Sequence, residues 1–135
     1  MTDAEFARAF ETCELPPDNF HHRDHIRLAW IFLQRYGAEA GAQIAISIRR
    51  YAAHLGKSDK YHETVTQAWM RLVAAAGATS FEALTEAHPE LLDKAFLNEF
   101  YSDAALQSAA AREKFVEPDR KPLPEIGIVS AGMLK

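Results

Sequence analysis

Three of the chain's six histidines stand in one hexapeptide, Phe20-His21-His22-Arg23-Asp24-His25, and a fourth lies in Tyr61-His62-Glu63-Thr64-Val65-Thr66. Imidazole changes charge near neutral pH and is the commonest side-chain ligand of transition metals. In both segments it occupies positions where helical periodicity expects core residues. A buried neutral imidazole needs a partner, and one metal ion would satisfy several together. At about 100° per residue, His22 and His25 lie roughly 60° apart around a helix, and His21 and His25 roughly 40° apart. Either pair can turn two rings to one point. His22 with His25 is preferred because both continue the apolar stripe of their helix, whereas His21 lies at its edge. His62 leads a second stripe, with Val65 and Trp69. Two such helices packed with their starts together would bring His22, His25 and His62 onto one divalent ion.

Three nitrogens leave a coordination position open, the arrangement of a catalytic rather than a closed structural site. Zinc, copper and iron all accept imidazole, and the sequence selects none of them. Glu63 or Asp24 would take a proton from a bound water, or Asp24 would orient a ligand imidazole through its second nitrogen. His62 and Glu63 lie about 100° apart, so only one can be central to the stripe, and His62 is expected inside. Thr64 and Thr66 would contact a substrate or back-bond within their own helix. The expected function is a small metalloenzyme acting on a small molecule by hydrolysis or redox chemistry. The alternatives are a non-catalytic module that binds a small ligand or senses a metal, and a metal-free bundle with a buried histidine network.

The elements that must position these residues read as helix after helix. Residues 3–12 follow Thr2 as a cap and place Phe6 and Phe10 one turn apart. Leu15-Pro16-Pro17 breaks that helix. The second helix runs from about 22 to 36 with the stripe His22, His25/Ile26, Ala29, Phe32/Leu33 and Tyr36. A third covers about 38–55, stopped by Gly56, and a fourth about 59–76, capped by Ser58 and ended by Gly77. Short helices follow: one after Thr79-Ser80, one starting at His88-Pro89 with Leu92, Ala95, Phe96 and Phe100 inward, and one from Ala109 to Phe115 capped by Ser108. Beyond Glu117 the prolines preclude a continuous helix, and Ile126-Gly-Ile-Val-Ser has strand-like composition without a partner. The expected fold is all-α: one domain over residues 1–135, its core about 3–116, with four main helices, short helices and an irregular tail from 117.

Composition narrows the function classes. A chain of 135 residues, 48% hydrophobic and 25% charged, reads as one globular domain. A net charge of −4 and the lack of a dense basic stretch argue against a nucleic-acid partner. The longest mostly apolar segment, Ile26 to Leu33, is too short to span a bilayer, and the first residues carry no secretory signal pattern. A cytoplasmic location with no membrane partner is expected. Cys13, the single cysteine, excludes an internal disulfide and a Cys-based zinc site. His54 is expected on the surface and His88 as a cap; Arg112 could hold an anion and Asp119 a tail contact. The partner expected is a small-molecule substrate.

Taken together, Phe20-x-His22-x-Asp24-His25-x-Arg27-Leu28-Ala29-Trp30, Lys60-Tyr61-His62-Glu63-Thr64-Val65-Thr66 and a run from Tyr101-Ser102 to Pro122-Leu123-Pro124 resemble an uncharacterised group of small bacterial helical proteins. The resemblance covers roughly residues 15–124. It implies that His22, His25 and His62 belong to the motif while His21 is incidental. It also implies that the proline-containing tail is part of the domain and closes over a pocket. It carries no activity.

Overall fold

The computed structural model describes residues 1–125 and is all-α, with no strand among the described residues. The strand-like segment 126–130 lies outside them. Four longer helices come first: α1 (Asp3–Glu11), α2 (His22–Tyr36), α3 (Ala40–His54) and α4 (Glu63–Ala76). Then come α5 (Phe81–Ala87), α6 (Asp103–Gln107) and α7 (Ala109–Glu113), with two short 3₁₀ turns between α5 and α6 and Ser108 alone between α6 and α7. No described helix is long and apolar enough to cross a membrane.

Local chemistry sets most boundaries. Thr2 and Glu5 form a reciprocal capping box that satisfies two free amides at the start of α1. Ser80 caps α5 and Ser108 caps α7 through their side-chain oxygens. Gly77 closes α4 with φ +61°, a left-handed conformation that glycine adopts without a Cβ penalty. The expectations fail where a polar side chain interrupts a helical pattern. Between residues 88 and 100 two 3₁₀ turns, Pro89–Leu92 and Lys94–Glu99, replace the expected helix. Asp93 sits between them in an extended conformation, its carboxylate accepting from the Ala95 amide. α4 begins at Glu63 rather than 59, because Ser58–Lys60 forms its own 3₁₀ turn and His62, not Ser58, caps the helix.

α2 and α4 run side by side in the same direction. The His22 ring at the start of α2 meets Trp69, midway along α4, edge-on at 4.6 Å between centroids. Further along both helices Trp30, Leu33 and Gln34 line one groove with Val73, Ala74 and Ala75. α3 closes on α4 at Gly41, whose carbonyl accepts from Gln67 Nε2 at 2.9 Å; a Cβ there would stand 2.6 Å from Gln67 Oε1. Because α2 touches α1, α3 and α4, it buries Leu28 and Ile31 as well as the expected Ile26, Ala29 and Phe32. The loop after α1 is held by Phe10, which stacks on Phe20 and Tyr51 at 5.0 and 4.8 Å, and by the Tyr51 hydroxyl, which donates to the Leu15 carbonyl at 2.7 Å. This anchorage delivers Phe20 and His21 to the start of α2.

Candidate functional site: the His22–His25 cavity

The first turn of α2 gives onto a cavity of about 300 Å³ lined by Phe20, His21, His22, His25, Val65, Trp69, Lys94 and Leu97. Asp24, the third residue of α2, accepts the His21 amide at 3.0 Å and so secures the helix start from outside the cavity lining. His22 Nε2 donates to the Leu91 carbonyl at 2.9 Å, since a carbonyl can only accept. That places the proton on Nε2 and leaves a lone pair on Nδ1. Burial, the largest influence, lowers the His22 pKa below the usual imidazole range. His25, one turn on, is pushed down to about 4, chiefly by burial and then by the neighbouring His22. Its ring packs 5.9 Å from that of Phe20.

His25 is distinguished by what it lacks. Among the described residues its ring nitrogens have no hydrogen-bond partner, yet no fully buried side-chain nitrogen or oxygen is left unpartnered. The His25 nitrogens are therefore not fully enclosed, and His25 is one of the residues that line the cavity. One imidazole thus keeps both of its nitrogens, and the other one of its two, free of protein bonds.

The remaining sequence candidates lie elsewhere. His62 Nδ1 accepts from the Val65 amide at 3.2 Å, which caps α4, and Nε2 donates to the Leu106 carbonyl at 2.6 Å. Both nitrogens are engaged by backbone. The expected convergence with His22 and His25 is not formed: among the described residues no group of three or more His, Cys, Asp or Glu side chains is placed to hold a metal ion. The reason is axial register. His22 meets Trp69, seven positions beyond His62 and about 10 Å further along α4 at 1.5 Å per residue. Glu63 turns away as well, accepting from the Tyr61 hydroxyl and lying 3.7 Å from Arg49. That carboxylate and burial together hold the Tyr61 pKa up, to about 12, with burial the larger cause. Thr66 back-bonds to the His62 carbonyl at 2.9 Å, and Thr64 bonds the segment after α7.

A larger cavity, about 530 Å³, lies beside Tyr61 and is lined by Arg49, Ser58, Asp59, Ala109, Arg112 and Glu113 as well. Size does not decide between the two. Its two arginines and its tyrosine are engaged: Arg49 lies over the Tyr61 ring, the Tyr61 hydroxyl donates to Glu63, and Arg112 donates to the Asp59 carbonyl at 2.7 Å. The smaller one combines an aromatic and aliphatic wall with unengaged imidazole nitrogens, the pattern of a ligand site. Sequence reading missed Lys94 and Leu97 as partners of the histidines, because they lie far along the chain in a stretch read as an ordinary helix. Among the described residues, none after Glu113 lines the histidine cavity. His54 is exposed, His88 Nδ1 lies 3.2 Å from Glu90, and Asp119 accepts from the Ser102 amide and hydroxyl.

The His62 cap carries a prediction. His62→Ala removes the acceptor for Val65 N–H and the donor to Leu106 at once, and should cost about 1–2 kcal/mol in urea unfolding. His62→Asn, which restores a capping acceptor, should recover part of that loss. Equal destabilisation by both variants would count against a capping role.

No family model, curated protein or solved structure matches this chain. The fold defines its class, an all-α helical protein, and the functional reading rests on the chemistry of the cavity.

Proposed function

We propose that this protein binds a small molecule in the cavity at the start of α2, with His22 and His25 as uncharged hydrogen-bonding groups. The observation that carries the reading is a His25 ring in the lining of that cavity with no protein hydrogen bond among the described residues. Keeping an uncharged imidazole beside apolar walls without a protein partner costs stability, and such costs concentrate where a ligand supplies the missing bonds. Phe20, Val65, Trp69 and Leu97 would take the apolar part of the ligand.

The test is an imidazole ¹⁵N spectrum of the full chain titrated with benzyl alcohol, a compact apolar body with one hydroxyl donor. The expected result is a saturable shift of the His22 and His25 ring nitrogens, with those of His54 and His88 unmoved. A titration that moves none of them, or moves all of them alike, would remove the reading.

A second reading keeps the divalent zinc, copper or iron ion and the metalloenzyme expected from the sequence, now on two protein nitrogens. It is favoured by the i, i+3 spacing of two imidazoles in the uncharged form that metals require. Elemental analysis of untagged protein beside His25→Ala and His62→Ala separates the possibilities. Metal lost only with His25 supports the two-nitrogen site. Metal lost with either histidine would restore the three-histidine centre, with Glu63 or Asp24 again a candidate base. No metal in any of the proteins would leave the organic ligand as the occupant.

A further inference from the structure

The lining of the same cavity carries an ammonium, while the neighbouring Asp93 acts on His22 from outside the lining. Lys94 stands on its rim, and no carboxylate belongs to the lining. Among the described residues the Lys94 ammonium has no carboxylate within ion-pair distance, whereas Lys121 pairs with Glu99 and Arg27 with Asp3. The adjacent Asp93 directs one oxygen to the Ala95 amide. Among the described residues, Lys94 is therefore a cation without an ion-pair partner beside an aromatic pocket.

The histidines set a second requirement. His22 has spent its N–H on the Leu91 carbonyl and keeps only a lone pair, and His25 brings one lone pair and one N–H of its own. With two acceptor nitrogens to satisfy, the occupant must donate a hydrogen bond as well as carry a negative charge. A simple fatty or aryl acid, which is acceptor-only when ionised, would leave them unpaired. The volume of about 300 Å³ suits a molecule of modest size.

We infer that the cavity selects a hydroxylated organic acid, with its carboxylate at Lys94, its hydroxyl donating to one of the two lone-pair nitrogens of His22 and His25 and its apolar body against Phe20, Val65, Trp69 and Leu97. This inference rests on the proposal that the cavity binds a small molecule. It deepens that proposal by naming the class of ligand.

Three probes of nearly the same shape separate the contributions: mandelate, mandelamide without the charge, and phenylacetate without the hydroxyl. Each is titrated at low ionic strength against the full chain, with the His22 and His25 ring nitrogens as readout. Mandelate should bind about five-fold more tightly than mandelamide, the size of one partly exposed ion pair, and the advantage should shrink as salt is added. It should also bind about five-fold more tightly than phenylacetate, the worth of one hydrogen bond. In Lys94→Met, which keeps the stem of an exposed side chain and removes its charge, mandelate and mandelamide should become equal. Lys94→Arg should restore the preference.

Mandelamide binding as well as mandelate to the unaltered protein would overturn the anion assignment while leaving the cavity a ligand site. Phenylacetate binding as well as mandelate would overturn the hydroxyl assignment in the same way. No shift with any of the three probes or with benzyl alcohol would bring down the binding proposal itself, and this inference with it.

Discussion

Between pH 6.5 and pH 4 this protein should lose about 2–3 kcal/mol of stability through His25 alone. In the folded state burial and the neighbouring His22 hold His25 down to about 4, against 6.5 for a free imidazole. The sign follows from proton counting. Below 6.5 the unfolded chain takes up a proton that the folded chain refuses until about pH 4, so stability falls as pH falls across that window. It is fully present above 6.5. At about 1.4 kcal/mol per unit the shift corresponds to about 3 kcal/mol, reduced somewhat because the ring meets water through the cavity. His22, lowered in the same direction, adds to the slope, while Lys94 opposes and Asp93 favours its protonation. Urea unfolding of metal-stripped protein at intervals from pH 7.5 to 4 measures the effect. His25→Leu should flatten the profile, and parallel profiles for the two proteins would contradict the buried-imidazole assignment. The same cost links stability to function: a ligand that bonds the uncharged ring should lower the acid midpoint further.

The second large effect is expected at Thr64, which is fully buried although polar. Its hydroxyl donates to the Lys114 carbonyl at 2.9 Å and accepts from the Val116 amide at 3.1 Å, fastening the segment after α7 onto α4. Tyr101 holds the same segment by donating to the Val116 carbonyl at 2.7 Å. Further on, Asp119 bonds Ser102, the Arg120 amide donates to the Phe100 carbonyl at 2.9 Å, and Leu123 is buried. Thr64→Val preserves shape but leaves an amide and a carbonyl without partners, which should cost about 2–4 kcal/mol. Hydrogen exchange should report the cause, with the Val116 amide losing protection well before the amides of α2. Thr64→Ser keeps the hydroxyl and should cost about 1 kcal/mol for the lost methyl. A Thr64→Val protein as stable as the parent would mean that the segment is held by its other contacts.

How much of this was legible along the chain differs from element to element. Thr2, Ser80, Ser108 and Gly77 act within three or four residues of themselves, and each does what its residue type and position led one to expect. The same holds for the all-α class, since helical periodicity is a local property of side-chain spacing. His62 was singled out correctly as an unusual residue at a helix start, but its role differs from expectation. Helix starts are sought through Ser, Thr, Asp and Asn, and an imidazole lone pair on a backbone amide does the same work without that signature. The turns around Asp93 were missed for a related reason: Leu91-Leu92-Asp93-Lys94 fits a helical stripe until the carboxylate competes for a backbone amide.

The sequence by itself determined that the chain is helical, where most of its helices begin and end, and that His22 and His25 share a face, because all three follow from interactions between residues close in sequence. Only the tertiary structure decided which distant residues share the histidines' cavity. Two parallel helices with the same apolar stripes can pack in several axial registers, each one turn, about 5.4 Å, from the next. The register adopted sets His22 against Trp69, leaves His62 to cap its own helix, and directs Glu63 to Tyr61 and Arg49. Lys94 reaches the cavity from a segment whose path depends on how the chain returns across α2. Side-chain packing over the whole core selects that register, and no local spacing rule carries the information.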